Sequence, residues 1–160
     1  MEHPVHQIEA QWKAKHPELD VQEMLTLIAL HRASQVMFKK HDQFLEPFGL
    51  NHAALDVLLS LYRSAPPEGL TLAKLASVMA VTPPAMTARI DKLLDSRWIE
   101  KTMDPEDRRA FKVRLTAEGE ALVQQVLPLH IADKKQVFSG FSAEELGTLR
   151  SLLTRLMGEV

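Results

Sequence analysis

The hydrophobic period of this chain changes abruptly near its centre, and that change constrains the fold more than any other feature. The run TPPAMTARIDKLLDSR, Thr82 to Arg97, spaces its apolar residues as a helix does. In the run that follows, WIEKTMDPEDRRAFKVRLT, the period falls to two: Phe111, Val113 and Leu115 alternate with Lys112 and Arg114. Trp98 to Met103 supplies the antiparallel partner strand, and DPEDRRA forms the loop between them. A helix running straight into a hairpin is the local unit that the rest of the chain must accommodate.

Helix signals dominate on either side. Thr71 is placed to cap LAKLASVM and Thr82 to cap the next helix, with Pro83 at a first helical position where a missing N–H costs nothing. Ala80 and Val81 leave only a tight turn between the two, which is helix-turn-helix spacing. Upstream, Val5, Ile8 and Trp12 share one face of a short helix that Pro17 ends. Asp20 and Glu23 have capping-box spacing for a long helix to about Glu46, stopped by Pro47 and Gly49. Asn51 caps a helix carrying Leu55, Leu58, Leu59, Leu61 and Tyr62, before the loop SAPPEG. Downstream, Thr116 caps a helix with Glu118 and Glu120 in its first turn, and Pro128 is expected to kink it or end its first segment. Ser142 and Glu145 open a last helix striped by Leu146, Leu149, Leu153 and Leu156. The fold class is therefore mainly α with a small β-hairpin wing. A winged helix-turn-helix lobe, residues 51–116, is flanked by helical arms, residues 1–50 and 117–160. The apolar stripes of the arms exceed what one small lobe can bury, so a homodimer is expected.

Several function classes are disfavoured. No apolar run approaches the roughly 20 residues that span a membrane, and the start MEHPVHQIEAQW lacks the basic and apolar regions of a signal peptide. With no cysteine there is no disulfide or thiolate chemistry, and a cytoplasmic address is the simplest expectation. His3 and His6 stand three apart without clustered carboxylates, and the other histidines are scattered, so neither metal nor cofactor is expected. No phosphate loop or catalytic triad spacing appears, and no enzyme activity is expected. The net charge of −2 is unevenly spread: Thr71 to Leu115 holds nine Lys/Arg against six Asp/Glu, leaving ten bases and fifteen acids elsewhere. The middle is basic and the arms acidic, a distribution suited to a DNA partner.

Particular residues sharpen this. With Met86, Ile90, Leu93 and Leu94 facing the core, the helix after Thr82 leaves Pro84, Ala85, Thr87, Ala88 and Lys92 towards solvent. Small residues let a backbone approach DNA closely, a threonine can bond a base edge, alanines can meet thymine methyls, and a helix N-terminus favours phosphate. Arg108 and Arg109 on the hairpin loop suit the narrow, negative minor groove of A·T-rich DNA, with Asp104 and Asp107 placed to brace a guanidinium. Alone, the helix could be an ordinary surface helix and the arginine pair solvated charge; their joint setting favours the DNA reading.

The run DPEDRRAFKVRLTAEG resembles the wing signature of the MarR (multiple antibiotic resistance regulator) family of repressors, and the order of elements is similar over nearly the whole chain. The resemblance implies a dimer through the N- and C-terminal helices, a pseudo-palindromic operator, Arg109 as the wing arginine and Asp107 as the acid that braces it. IEAQWKAKHPELD, LDVLLSL and MTARIDKL further resemble the urate-responsive branch of that family. That likeness implies an effector site at Trp12, Asp56 and Arg89, with Lys101 where the branch carries an arginine, a change that keeps a cation and removes a bidentate fork. From the residues alone, Asp56 lies inside the apolar run AALDVLLSLY and is expected to be buried and to pair with Arg89.

The expected function is a repressor released from double-stranded operator DNA by a small anionic aromatic effector, urate-like or a phenolic acid. The alternatives are a constitutive DNA-binding regulator without a ligand, or a helical adaptor whose winged helix binds protein.

Overall fold

The computed structural model describes residues 4–104 and 111–158. The chain falls into two compact units that divide within one helix, after Asp56.

The first unit begins with α1, Pro4–Lys15, and continues into the 24-residue α2, Gln22–Leu45. Gln22 donates to Glu9 Oε1 at 3.3 Å, tying the start of α2 to α1, and Lys13 pairs with the same carboxylate at 3.2 Å. These bonds, that of Lys13 foremost, hold the Glu9 carboxyl below its usual value. The expected capping box at Asp20 does not form. The residue preceding the helix is Val21, and the Asp20 carboxylate instead accepts from the Gln22 amide at 3.1 Å, an Asx-type turn one residue early. A 3-10 turn, Glu46–Phe48, follows α2 and ends at Gly49 with φ 69°. Asn51 then caps α3, His52–Ser64, accepting from the Ala54 amide at 2.8 Å. Asp42 on α2 accepts from the His52 amide at 2.6 Å and lies 2.8 Å from its ring Nδ1. Burial pushes the Asp42 carboxyl up, but the His52 bonds together bring it below its ordinary value.

The second unit is organised around a sheet. A strand the sequence did not announce, β1 (Leu70–Thr71), joins β2 (Ile99–Met103) and β3 (Phe111–Leu115) in the order β1-β3-β2, all antiparallel. The wing is thus the free end of a three-stranded sheet rather than of an isolated hairpin. Gly69 permits this: its φ is 91°, and a side chain there would overlap the Val113 carbonyl. Between β1 and β2 lie α4, Leu72–Val78, and α5, Pro83–Asp95, and these pack against each other and against the sheet. Leu75, Ala76, Met86, Ile90, Leu93, Ile99 and Val113 are buried.

The unit closes with α6, Ala117–Val137, and α7, Ala143–Leu156. Pro128 does not end α6, which runs through it as one helix. Pro128 is solvent-exposed, so its ring lies where the interior is not disturbed. Ser142 and Glu145 form the full reciprocal capping box of α7, and the bond from the Ser142 amide holds Glu145 below its usual carboxylate value.

Candidate nucleic-acid interface

The turn between α4 and α5 is set by backbone bonds. Met79 follows α4, Ala80 has φ 51°, and the amides of Val81 and Ala80 donate to the carbonyls of Ala76 (3.0 Å) and Ser77 (3.2 Å). This is a Schellman ending with alanine where glycine is usual, and it launches α5 after only two further residues. On α5, Met86, Ile90 and Leu93 are buried, whereas Thr82, Pro84, Ala85, Thr87, Ala88 and Lys92 are all exposed. The face expected from sequence is therefore presented to solvent as one small-residue surface.

Details of its chemistry differ from the expectation. Thr82 occupies the capping position, but its side chain makes no capping bond. Pro83 and Pro84 carry no N–H, so the first turn offers the Ala85 amide alone before Met86 bonds back to the Thr82 carbonyl at 3.0 Å. Thr87 Oγ1 donates to the Pro83 carbonyl at 3.2 Å, which leaves its oxygen lone pairs facing outward as acceptors.

The cations of this unit are not equivalent. Arg114 Nε donates to Glu100 Oε1 at 2.6 Å across the paired strands, and its Nη1 reaches the Pro67 carbonyl at 3.3 Å. Lys112 pairs with Asp104 at 3.5 Å at the root of the wing, with side chains only 18% and 11% exposed. Lys101 lies 4.2 Å over the ring of Phe111, which is itself exposed. Lys92 is exposed and, among the described residues, has no ion-pair partner. Arg108, Arg109 and the bracing acid Asp107 lie outside the described residues.

The four residues of the expected effector site divide between the units. Trp12 on α1 is 36% exposed, with its ring 5.9 Å from that of His16. Asp56 on α3 is exposed, which corrects the expectation of a buried acid and removes the desolvation argument for its pairing with Arg89. Its neighbours Leu55 and Val57 are buried, but one residue along a helix is a 100° turn, enough to carry Asp56 to the surface. Arg89 on α5 is half-buried, and Lys101 is exposed on β2. Two sites were missed by sequence reasoning. One is the Asp42–His52 pair, beside a groove of about 790 Å³ lined in part by Phe38, Asp42 and Leu50. The other is the set of bonds from Thr116 to the end of α5. Spacing alone signals neither, since 10 and 19 residues separate the partners. Among the described residues no three His, Asp or Glu side chains gather into a metal-holding group, and no helix is long and apolar enough to cross a membrane.

A family model described as MarR family matches residues 48–110, which include the α4–α5 pair and β2 but end before β3. Over 152 residues the chain is 30% identical to the HTH-type transcriptional regulator PecS of Dickeya dadantii, covering 95% of this chain and 92% of PecS. The chain belongs to the MarR family. It is also 29% identical over 129 residues to the multiple antibiotic resistance protein MarR of Escherichia coli, covering 80% of this chain and 88% of that protein. A mutant of E. coli MarR complexed with operator DNA superposes with a TM-score of 0.74 at 25% identity, over 91% of this chain and 96% of that one. As a MarR-family chain with this winged-helix fold, the protein is a transcriptional regulator and not an enzyme.

Proposed function

We propose that this MarR-family chain is a cytoplasmic, homodimeric repressor that reads a pseudo-palindromic operator with α5 and the wing and releases it on binding a small anionic aromatic effector. The observation that carries the reading is the exposed small-residue face of α5 above its buried stripe of Met86, Ile90 and Leu93. That face suits close approach to the major groove. The outward lone pairs of Thr87 suit the amino group of adenine or cytosine, the methyls of Ala85 and Ala88 suit thymine, and Lys92 suits phosphate. Thr82 and the Ala85 amide offer a phosphate contact at the helix start. Arg108 and Arg109 reach the minor groove, with Asp107 as brace. The complex of E. coli MarR with operator DNA supports the same reading.

The dimer forms through the helical arms, residues 1–50 and 117–160, and two-fold symmetry sets half-site centres about one turn, roughly 10 bp, apart. The effector site comprises Trp12, Asp56, Arg89 and Lys101. An anionic heteroaromatic such as urate, or a phenolic acid, stacks on Trp12 and takes Arg89 or Lys101 as counter-charge. Because Arg89 belongs to α5, such binding has a direct route to the DNA-reading helix. A coupling of about 1–3 kcal/mol lowers DNA affinity some 5–150-fold.

The test is an operator-release titration of purified protein with urate, xanthine and salicylate, followed by DNA mobility shift and Trp fluorescence. At least one of them is expected to release the operator from wild-type protein and not from Arg89→Ala or Trp12→Phe. Release by none removes the effector assignment; a normal response in Arg89→Ala removes the lever. An Arg109→Ala protein with unchanged operator affinity removes the wing from the mechanism.

A further inference from the structure

A single hydroxyl holds the end of α5 and the start of α6 together. Thr116 Oγ1 accepts from the Gly119 amide at 3.0 Å, which caps α6, and donates to the Arg97 carbonyl at 2.8 Å. The Thr116 amide donates to the next carbonyl, that of Trp98, at 3.1 Å. Arg97 lies two residues past the end of α5, after the C-terminal cap Ser96. It has φ 60°, the left-handed region, and its amide bonds back to the Leu94 carbonyl at 3.0 Å. From the other side Gly119 is buried, and a methyl group there would overlap the Trp98 carbonyl oxygen. The first turn of α6 therefore rests on the backbone that ends α5, with no side chain between them to yield.

Capping α6 requires only an acceptor at Thr116. The donated bond to Arg97 and the close approach at Gly119 add nothing to the cap; both constrain the segment by which the chain leaves α5. A non-glycine residue in the left-handed region is strained and persists where its surroundings over-determine it, as these bonds do for Arg97.

We propose that Thr116 and Gly119 form a clasp that fixes the bearing of the DNA-reading helix to α6, so that the arms set the separation and angle of the two α5 helices through this joint. The inference rests on the reading of a dimer that binds DNA through α5. Neither residue touches DNA in that reading, and both are positioning residues.

The readout is discrimination of half-site spacing, which a loss of folding stability alone does not change. An operator is selected from random duplexes with wild-type protein, then remade with one base pair added or removed at its centre, a displacement of about 3.4 Å and a tenth of a turn. Wild-type protein is expected to prefer the native spacing sharply. Losing the Thr116 bond in Thr116→Val is expected to reduce that preference by roughly two- to tenfold, the worth of one hydrogen bond, while Thr116→Ser restores it. Gly119→Ala, which forces the joint apart sterically, is expected to reduce it likewise. Should Gly119→Ala not fold, Thr116→Val and Thr116→Ala carry the test. A wild-type spacing ratio in these variants, whatever their absolute affinity, overturns the clasp and leaves the DNA-binding reading intact. Wild-type protein that selects no duplex at all overturns that reading and the clasp with it.

Discussion

Helices α5 and α7 are 13 and 14 residues long, both amphipathic, and both begin after a Thr or Ser at the capping position. Their fates differ. The apolar stripe of α5 is buried at Met86, Ile90 and Leu93, whereas α7 buries no side chain and leaves Leu149, Leu152 and Leu156 at 38%, 53% and 68% exposure. Amphipathicity says that a helix has something to bury, and it does not say against what. For α5 the answer lies within the chain, in α4 and the sheet. For α7, three leucines three and four residues apart on one face lack that partner within the described residues, and a second copy of the chain supplies it in the account proposed above. An exposed stripe of this kind marks an interaction surface more readily than a free one.

The largest expected effect comes from charging the stripe of α7. Leu152→Lys with Leu156→Lys is expected to dissociate the dimer, seen as a folded monomer in sedimentation. Operator affinity should fall by roughly 10²–10⁴, the gain that linking two half-site binders supplies. A dimer that survives both charges would place the partner surface elsewhere. The matching change in α5, Ile90→Ala, acts on folding instead: it should cost about 2–5 kcal/mol in urea unfolding at any protein concentration. A loss below about 1 kcal/mol would mean that α5 is less firmly seated than its burial indicates.

A smaller effect concerns α6. Burial, and then the charge of Lys134, lower the pKa of His130 below its ordinary 6.5, with Asp133 opposing them. The unfolded chain therefore binds the proton more readily, so the contribution of neutral His130 is complete above pH 6.5 and is lost as pH falls through the folded value. Urea midpoints between pH 8 and pH 5 are expected to fall with acidity through this group, and His130→Gln should flatten that part of the profile. An unchanged profile in His130→Gln would assign the acid sensitivity to other groups.

The contrast between α5 and α7 also bears on what the sequence could reveal. Periodicity and capping residues placed α4, α5, β2, β3 and α7 because each carries its own signal over several residues, and the exposed face of α5 followed from its buried one. β1 escaped notice because two residues have no period; its pairing with β3 depends on Gly69 adopting a left-handed turn. Asp56 was misjudged because apolar neighbours in sequence are not neighbours around a helix. Pro128 does not end α6, since packing elsewhere along a helix can outweigh one lost backbone bond. The partners of Lys112, Arg114 and Thr116 depend on strand register and on how α6 leaves the sheet, which only the assembled unit defines.

The central claim, that the winged lobe of a dimer binds duplex DNA through its small-residue face and basic wing, is tested most directly by the salt dependence of binding to the selected operator. Lys92, Arg108 and Arg109 from two chains bring six cations to the duplex and release about as many counterions, which predicts a slope of about −5 in a plot of log affinity against log salt concentration. Arg109→Ala should make that slope shallower by about 2, one contact in each half-site. A slope near zero, or binding that ignores salt and duplex alike, would contradict the account.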